Sequence, residues 1–105
     1  MITSGSSIAV AQLSLPKGTY ILTGFVRFPK NSNGVRRANF HDLSGSTTIQ
    51  TLVKANGETY DQLNLTNCIK IDESSSTIYL NTYQDSGESL TTLSGGTFMR
   101  AIKIG

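Results

Sequence analysis

Hydrophobic and polar positions alternate along several short stretches of the chain, most clearly in TIYLNTYQDSG, from Thr77 to Gly87. Side chains that alternate along a β-strand point to opposite sides of the sheet. One side of the stretch, mainly aliphatic, is therefore formed by Ile78, Leu80 and Thr82. The other side, with aromatic rings and an amide, is formed by Tyr79, Asn81 and Tyr83. A strand with one face in water should have a plainly polar side, so the second side of this strand needs a cover.

Two other stretches have the same two-sided pattern. In GTYILTGFVRF, Ile21 and Phe25 lie opposite the larger apolar set. In TFMRAIKI, Phe98 and Ile102 lie opposite Met99. Packing of one sheet on another covers one side, and a neighbouring subunit is the natural cover for the other side in so small a domain. The alternative is that these are ordinary surface apolar residues, since folded surfaces are more than half apolar.

Turn residues predict an all-β fold. Thr, Ser, Gly, Asn and β-branched residues recur too often for any window to sustain a helical period. Gly, Pro, Asn and Asp interrupt the chain about every ten residues, which is the spacing of short strands in an antiparallel β-sandwich. We predict about eight strands, over residues 7–15, 19–28, 35–43, 47–54, 58–65, 67–71, 76–84 and 96–104.

The strongest local signal is a predicted hairpin around Asn56 and Gly57. Asn-Gly supplies the two positive-φ positions of a type I′ turn, which joins two strands tightly. Counting outward from this turn pairs Val53 with Tyr60 across the ladder. The prediction is therefore a hairpin of strands 47–54 and 58–65 with a defined register.

Composition limits the class of protein. The 105 residues carry a formal net charge of +2, and 15% of them are charged. This length gives a single domain, 1–105, in which residues 1–6 are expected to be a flexible or linker-derived start. Cys68 is the single cysteine, so we expect no disulfide and interpret it as a small buried hydrophobe. No apolar run approaches the roughly 20 residues of a membrane span, and we expect no membrane insertion.

Signals of catalysis and of metal binding are weak. His41 and Asp42 are adjacent on a predicted strand, so their side chains should diverge rather than form a catalytic pair. Most carboxylates flank turns, where solvated acids are ordinary. Arg36 and Arg37 also project oppositely, which leaves no broad basic stripe for nucleic acid. The sequence therefore predicts no enzyme, no cofactor, no metal ion and no nucleic-acid partner.

Four blocks of the sequence, in this order, carry a resemblance to a known family: VAQLSLPKGTYILTGFVRF, RRANFHDLSG, STIYLNTYQDSGESL and GTFMRAIKIG. They resemble the trimeric jelly-roll heads of the tumour-necrosis-factor and complement globular-head type. The most similar versions are the C-terminal heads of phage tail fibres and receptor-binding proteins. The blocks cover most of the chain from about Ile8 to Gly105. The chain lacks the tryptophan, the collagen-like stem and the acidic calcium cluster of animal versions, which favours the phage branch.

The resemblance implies a jelly-roll homotrimer on the virion, in a tail fibre, baseplate or capsid surface, that is made in the host cytoplasm. Its partners would be a host cell-surface saccharide and other fibre or baseplate proteins. The alternative is a structural trimerisation knob, or a capsid or fibre decoration protein, with no ligand of its own. The candidate trimer-interface residues are Tyr20, Phe25, Tyr79, Tyr83, Phe98 and Ile102.

A non-catalytic saccharide site needs side-chain hydrogen bonds and an aromatic or apolar platform in a shallow cleft. Loops at one end of the sandwich, or the groove between protomers, are the expected places. The competing interpretation is that the Asn and Asp residues serve turn geometry. Composition and closeness to turns give the candidates Asn31, Asn33, Arg36, His41, Asp42, Tyr60, Asp61, Tyr83, Gln84 and Asp85.

Overall fold

The computed structural model describes residues 1–42, 47–54 and 60–105. These residues form five β-strands and one short 3-10 helix, which confirms the all-β class. The strands are antiparallel throughout. The elements are β1 (Ser6–Phe28), β2 (Val35–Asp42), β3 (Thr47–Lys54), β4 (Asp61–Gln84), the 3-10 helix Ser94–Gly96 and β5 (Phe98–Lys103).

Two long strands replace five of the predicted short ones. β1 runs for 23 residues through the predicted break at Pro16, and β4 runs for 24 residues through two predicted breaks. The Pro16 to Gly18 segment is a register shift between these strands, not a chain reversal. A β-bulge bends a strand without ending it, so turn-forming residues there do not divide the strand.

The strand order across the sheet is β3-β2-β4-β1-β5. The predicted hairpin of 47–54 with 58–65 is wrong, because β3 pairs with β2 and the first part of β4 pairs with β1. Val53 is in register with Arg36 and not with Tyr60. The predicted turn at Asn56 and Gly57 lies outside the described residues.

The sheet folds back on itself to make two layers. One layer contains β3, β2, the end of β4 and the start of β1, and we call it the β2 layer. The other contains the start of β4, the end of β1 and β5, and we call it the β5 layer. Gly24 of the β5 layer lies against Phe40 and Leu80 of the β2 layer, where an added Cβ would come within 3.0 Å of the Phe40 ring. The two layers therefore pack closely at this point.

The core lies between the two layers. Leu22, Val26, Phe40, Leu63 and Leu80 are all fully buried. Burial of such a side chain stabilises the fold by about 1.5–3 kcal/mol. The alternation read from the sequence is confirmed, because the aliphatic side of each long strand faces this core.

The chain start is part of the fold. Ile2 is buried and exchanges two backbone hydrogen bonds with Leu90, at 2.6 and 3.0 Å. The Gly5 N–H donates to the Gln84 carbonyl at 2.8 Å. The prediction that residues 1–6 are a flexible start is therefore corrected at Ile2, whose apolar side chain completes the core.

Candidate functional site

The outer side of the β2 layer carries a group of aromatic, amide and basic side chains. Strand register places three residues of β2 directly beside three of β4. All six are on the same side of the sheet, because each set occupies alternate positions on its strand. All six side chains are partly exposed. We call this group the aromatic–amide face, formed by Arg37, Asn39, His41, Tyr79, Asn81 and Tyr83.

Ring contacts define the two ends of the aromatic–amide face. At one end the His41 and Tyr79 rings stack, with centroids 5.1 Å apart and planes at 22°. At the other end the Arg37 guanidinium carbon lies 4.4 Å from the centroid of the Tyr83 ring. At a strand rise of 3.3–3.4 Å per residue, the two tyrosines on β4 are about 13 Å apart.

Amides lie between these two ends. Asn39 and Asn81 are in register on β2 and β4. The Asn39 amide donates to the Phe40 carbonyl at 3.4 Å, a long hydrogen bond. Two amides flanked by rings offer both donors and acceptors on a platform, which is the kind of surface that binds polyhydroxylated ligands.

The two neighbouring arginines have different environments. Within the described part of the chain, the guanidinium of Arg37 contacts the Tyr83 ring and makes no hydrogen bond or ion pair. Arg36 is fully buried on the opposite side of β2. Its guanidinium donates to the carbonyls of Asn31, Asn33 and Val35 at 2.8–3.1 Å. Arg37 is therefore the arginine with donors left for a ligand.

Three of the candidate ligand-binding residues are buried and therefore cannot contact a ligand. The Arg36 Nε lies 4.0 Å from the Asp61 carboxylate, and the two side chains are 0% and 4% exposed. The Gln84 amide is also fully buried and donates to the carbonyls of Ile2 and Glu88 at 2.8 and 2.6 Å. Arg36, Asp61 and Gln84 thus hold loops and the chain start in place.

Three further candidates lie on loops at one end of the sandwich. The Asn31 carboxamide oxygen accepts from the Asn33 N–H at 2.9 Å, which is the turn geometry expected of such residues. The Asp85 carboxylate accepts from the Val35 N–H at 2.6 Å. Asn31 and Asn33 line a shallow polar depression of about 340 Å³ together with Glu88. These side chains are accessible, but they mainly serve the loop.

The remaining candidates are divided between the layers. His41 and Tyr83 belong to the aromatic–amide face. Tyr60 is exposed and lies by the β5 layer, with the Arg27 guanidinium 4.1 Å from its ring centroid. The side chain of Asp42 lies outside the described part of the structure. The ten candidates therefore do not form one site.

The outer side of the β5 layer carries an apolar group that we call the apolar face, formed by Ile21, Phe25, Phe98 and Ile102. Phe25 and Phe98 stack with centroids 4.6 Å apart. Ile102 pairs with Ile21 and is 62% exposed. Aliphatic and aromatic side chains that are partly exposed on neighbouring strands, with one of them largely exposed, are typical of protein interaction surfaces.

The six candidate interface residues do not share one surface. Phe25, Phe98 and Ile102 are on the apolar face, whereas Tyr79 and Tyr83 are on the other layer. Tyr20 is corrected to a core residue, because it is 4% exposed and its hydroxyl donates to the Pro16 carbonyl at 2.7 Å. Cys68 was expected to be buried but is exposed.

As ligand contacts, sequence reasoning missed four members of the aromatic–amide face: Arg37, Asn39, Asn81 and Tyr79, which it had assigned to the trimer interface. Asn81 had a signal, since it alternates with Tyr79 and Tyr83. Asn39 and Arg37 had none, because nothing local shows that β2 lies beside β4. Among the described residues, no group of three or more His, Cys, Asp or Glu side chains could hold a metal ion. No helix in the described ranges is long and apolar enough to cross a membrane.

Comparison with known proteins gives one informative likeness. The chain is similar to an uncharacterized protein of Acanthamoeba polyphaga mimivirus, with 26% identity over 89 residues. The match covers 80% of this chain and 38% of that protein, so the chain spans well under half of the curated relative's length. No family model matches the chain. No solved structure matches it either.

Proposed function

We propose that this chain is a viral adhesion module, a receptor-binding head that binds host cell-surface carbohydrate without cleaving it. The observation that carries the proposal is the aromatic–amide face, in which a stacked ring pair at one end and an arginine-covered ring at the other flank the Asn39 and Asn81 pair. Similarity to a mimivirus protein supports the viral part of the proposal. The resemblance to phage fibre heads supports the adhesion part.

The chemistry of the aromatic–amide face suits a sugar chain. Aromatic rings such as Tyr79 and Tyr83 give a large contact area at low conformational cost. Asparagine amides each offer two donors and one acceptor oxygen, which can hydrogen-bond adjacent hydroxyls. A span of about 13 Å between the tyrosines, set by strand rise, accommodates a short oligosaccharide lying along β4.

The apolar face supports assembly into the homotrimer that the fibre-head resemblance implies. Phe25, Phe98 and Ile102 would be covered by neighbouring copies, while the aromatic–amide face on the other layer stays open. A contact of about 800 Å² per subunit is the size of an ordinary specific interface. Repetition of one saccharide site in three copies would raise avidity for a repetitive cell surface.

Glycan-array binding of the full chain, followed by titration calorimetry on the best binders, tests the proposal. Tyr79→Ala and Tyr83→Ala should each weaken binding by about tenfold or more, because each removes a ring platform from the ligand. Tyr60→Ala is the matched control, since it removes an exposed, arginine-stacked ring from the other layer and should leave binding unchanged. An equal loss of glycan affinity in all three variants would contradict the proposal, and so would a folded protein that binds no glycan.

A structural trimerisation knob or decoration protein is the second candidate function. The apolar face favours it, because exposed Ile102, on the same side of the β5 layer as the stacked phenylalanines, offers a surface for assembly that requires no ligand. In that case Tyr79→Ala and Tyr83→Ala would leave virion function intact, while substitutions at Ile102 would abolish it.

A further inference from the structure

We infer that the aromatic–amide face takes an acidic saccharide, one bearing a carboxylate or sulfate, with the anion held by Arg37. This inference rests on the proposed carbohydrate function and adds the charge class of the ligand. It starts from the unusual state of Arg37, whose guanidinium contacts a ring and, within the described residues, no acceptor.

Stacking on Tyr83 prepares Arg37 for an anion. A guanidinium lying over a ring keeps its N–H donors around its edge, and this planar fork matches a carboxylate or sulfate in bidentate fashion. The ring also restricts the long side chain before a ligand arrives, which lowers the entropic cost of binding. A neutral sugar would leave these charged donors without an acceptor of matching charge.

The charge of the surrounding surface supports the same ligand class. The six residues of the aromatic–amide face include no carboxylate. β1 adds none, because its residues in register with the face are uncharged: Ser7, Ala9 and Gln12. The nearby Asp85 carboxylate is engaged with the Val35 N–H.

The arrangement also orders the contacts along the ligand. The anion would lie on Arg37 at the Tyr83 end, hydroxyls would reach the Asn39 and Asn81 amides, and a further sugar unit would lie towards the Tyr79 and His41 rings. Arg36, although adjacent in sequence, cannot contribute because it is buried on the core side. Of the two neighbouring arginines, Arg37 is therefore the one that can recognise charge.

Matched glycan pairs test this inference by calorimetry on the full chain: sialyllactose against lactose, and trigalacturonate against its methyl ester. The acidic member of at least one pair should bind about tenfold or more tightly, since hydrogen bonds between charged groups are stronger than those between neutral ones. Arg37→Gln should abolish this preference, because it removes the charge proposed to hold the anion. Lys17→Gln removes the same charge at the bulge in β1 and should change nothing.

The outcomes separate the inference from the proposed function. If uncharged glycans bind as tightly as acidic ones, or if Arg37→Gln retains the preference, the acidic-ligand inference is overturned and carbohydrate binding stands. If neither member of any pair binds and the array is silent, both fail. If single-stranded oligothymidylate displaces acidic glycans and binds more tightly than they do, the surface serves nucleic acid and the inference is wrong.

Discussion

Arg36 and Arg37 show how a difference of one position along a strand decides whether a side chain is buried or exposed. Both are arginines on β2, yet one points into the core and the other onto the outer face. Burial of Arg36 is tolerated because three backbone carbonyls and the Asp61 carboxylate surround its guanidinium. An unpaired buried charge costs several kcal/mol, so this cluster is only stable when complete.

The first residue-scale prediction concerns Arg36. Arg36→Met should lower the free energy of unfolding by about 3–5 kcal/mol, because it leaves the Asp61 carboxylate in the core without its cation. Urea denaturation measures the change. Arg37→Met is the matched control and should cost less than about 1 kcal/mol, as for a surface position.

A double variant distinguishes the effect of the Arg36–Asp61 ion pair from the effect of lost side-chain volume. Arg36→Met combined with Asp61→Leu removes both charges, and it should recover much of the stability lost by Arg36→Met alone. A double variant as unstable as the sum of the two single variants would show that packing, not the ion pair, explains the loss.

At the scale of elements, the close approach of the two layers depends on Gly24. An added Cβ there would lie 3.0 Å from the Phe40 ring and 3.2 Å from Leu80. Gly24→Ala should therefore destabilise the fold by about 1–3 kcal/mol, the usual cost of overpacking a core. Thermal or urea unfolding measures it. Gly95→Ala is the control, because no atom lies within 4 Å of its added Cβ, and a similar loss there would rule out the packing explanation.

The strands were predictable but their pairing was not. Alternation correctly assigned the core side of β1 and β4, because side-chain period depends only on local geometry. Pairing depends on contacts distant in sequence, and here Leu63 and Leu65 at the start of β4 lie in register with Val26 and Gly24 of β1. That apolar ladder outweighs the predicted pairing of β3 with the start of β4.

The candidate site was predictable to the extent that it lies on a single strand. Tyr79, Asn81 and Tyr83 are visible as one side of the opening stretch, whereas Asn39 and Arg37 join them only through the pairing of β2 with β4. Selection by composition also favoured Gln84 and Asp61, because polar residues near turns look accessible in a sequence. Their burial follows from the fold-back of the sheet, which no local pattern encodes.

At the scale of the whole molecule, the two outer faces predict different consequences of substitution. Ile102 is 62% exposed in the single chain, so Ile102→Asp should leave monomer stability almost unchanged. In a trimer built on the apolar face it would bury three carboxylates at the contact, and sedimentation should then show the 11.3 kDa monomer instead of a species three times heavier.

Ile8→Asp is the control for the assembly prediction, because Ile8 is also exposed, at 45%, but lies in the first part of β1, away from the apolar face. It should preserve the trimer. The saccharide site should survive dissociation in Ile102→Asp, since all six residues of the aromatic–amide face come from one chain. Affinity for a soluble glycan should then be unchanged, while adhesion to whole cells should fall through lost avidity. A wild-type chain that sediments as a monomer at micromolar concentration would refute assembly but would leave the single-chain binding site to be tested by its own variants.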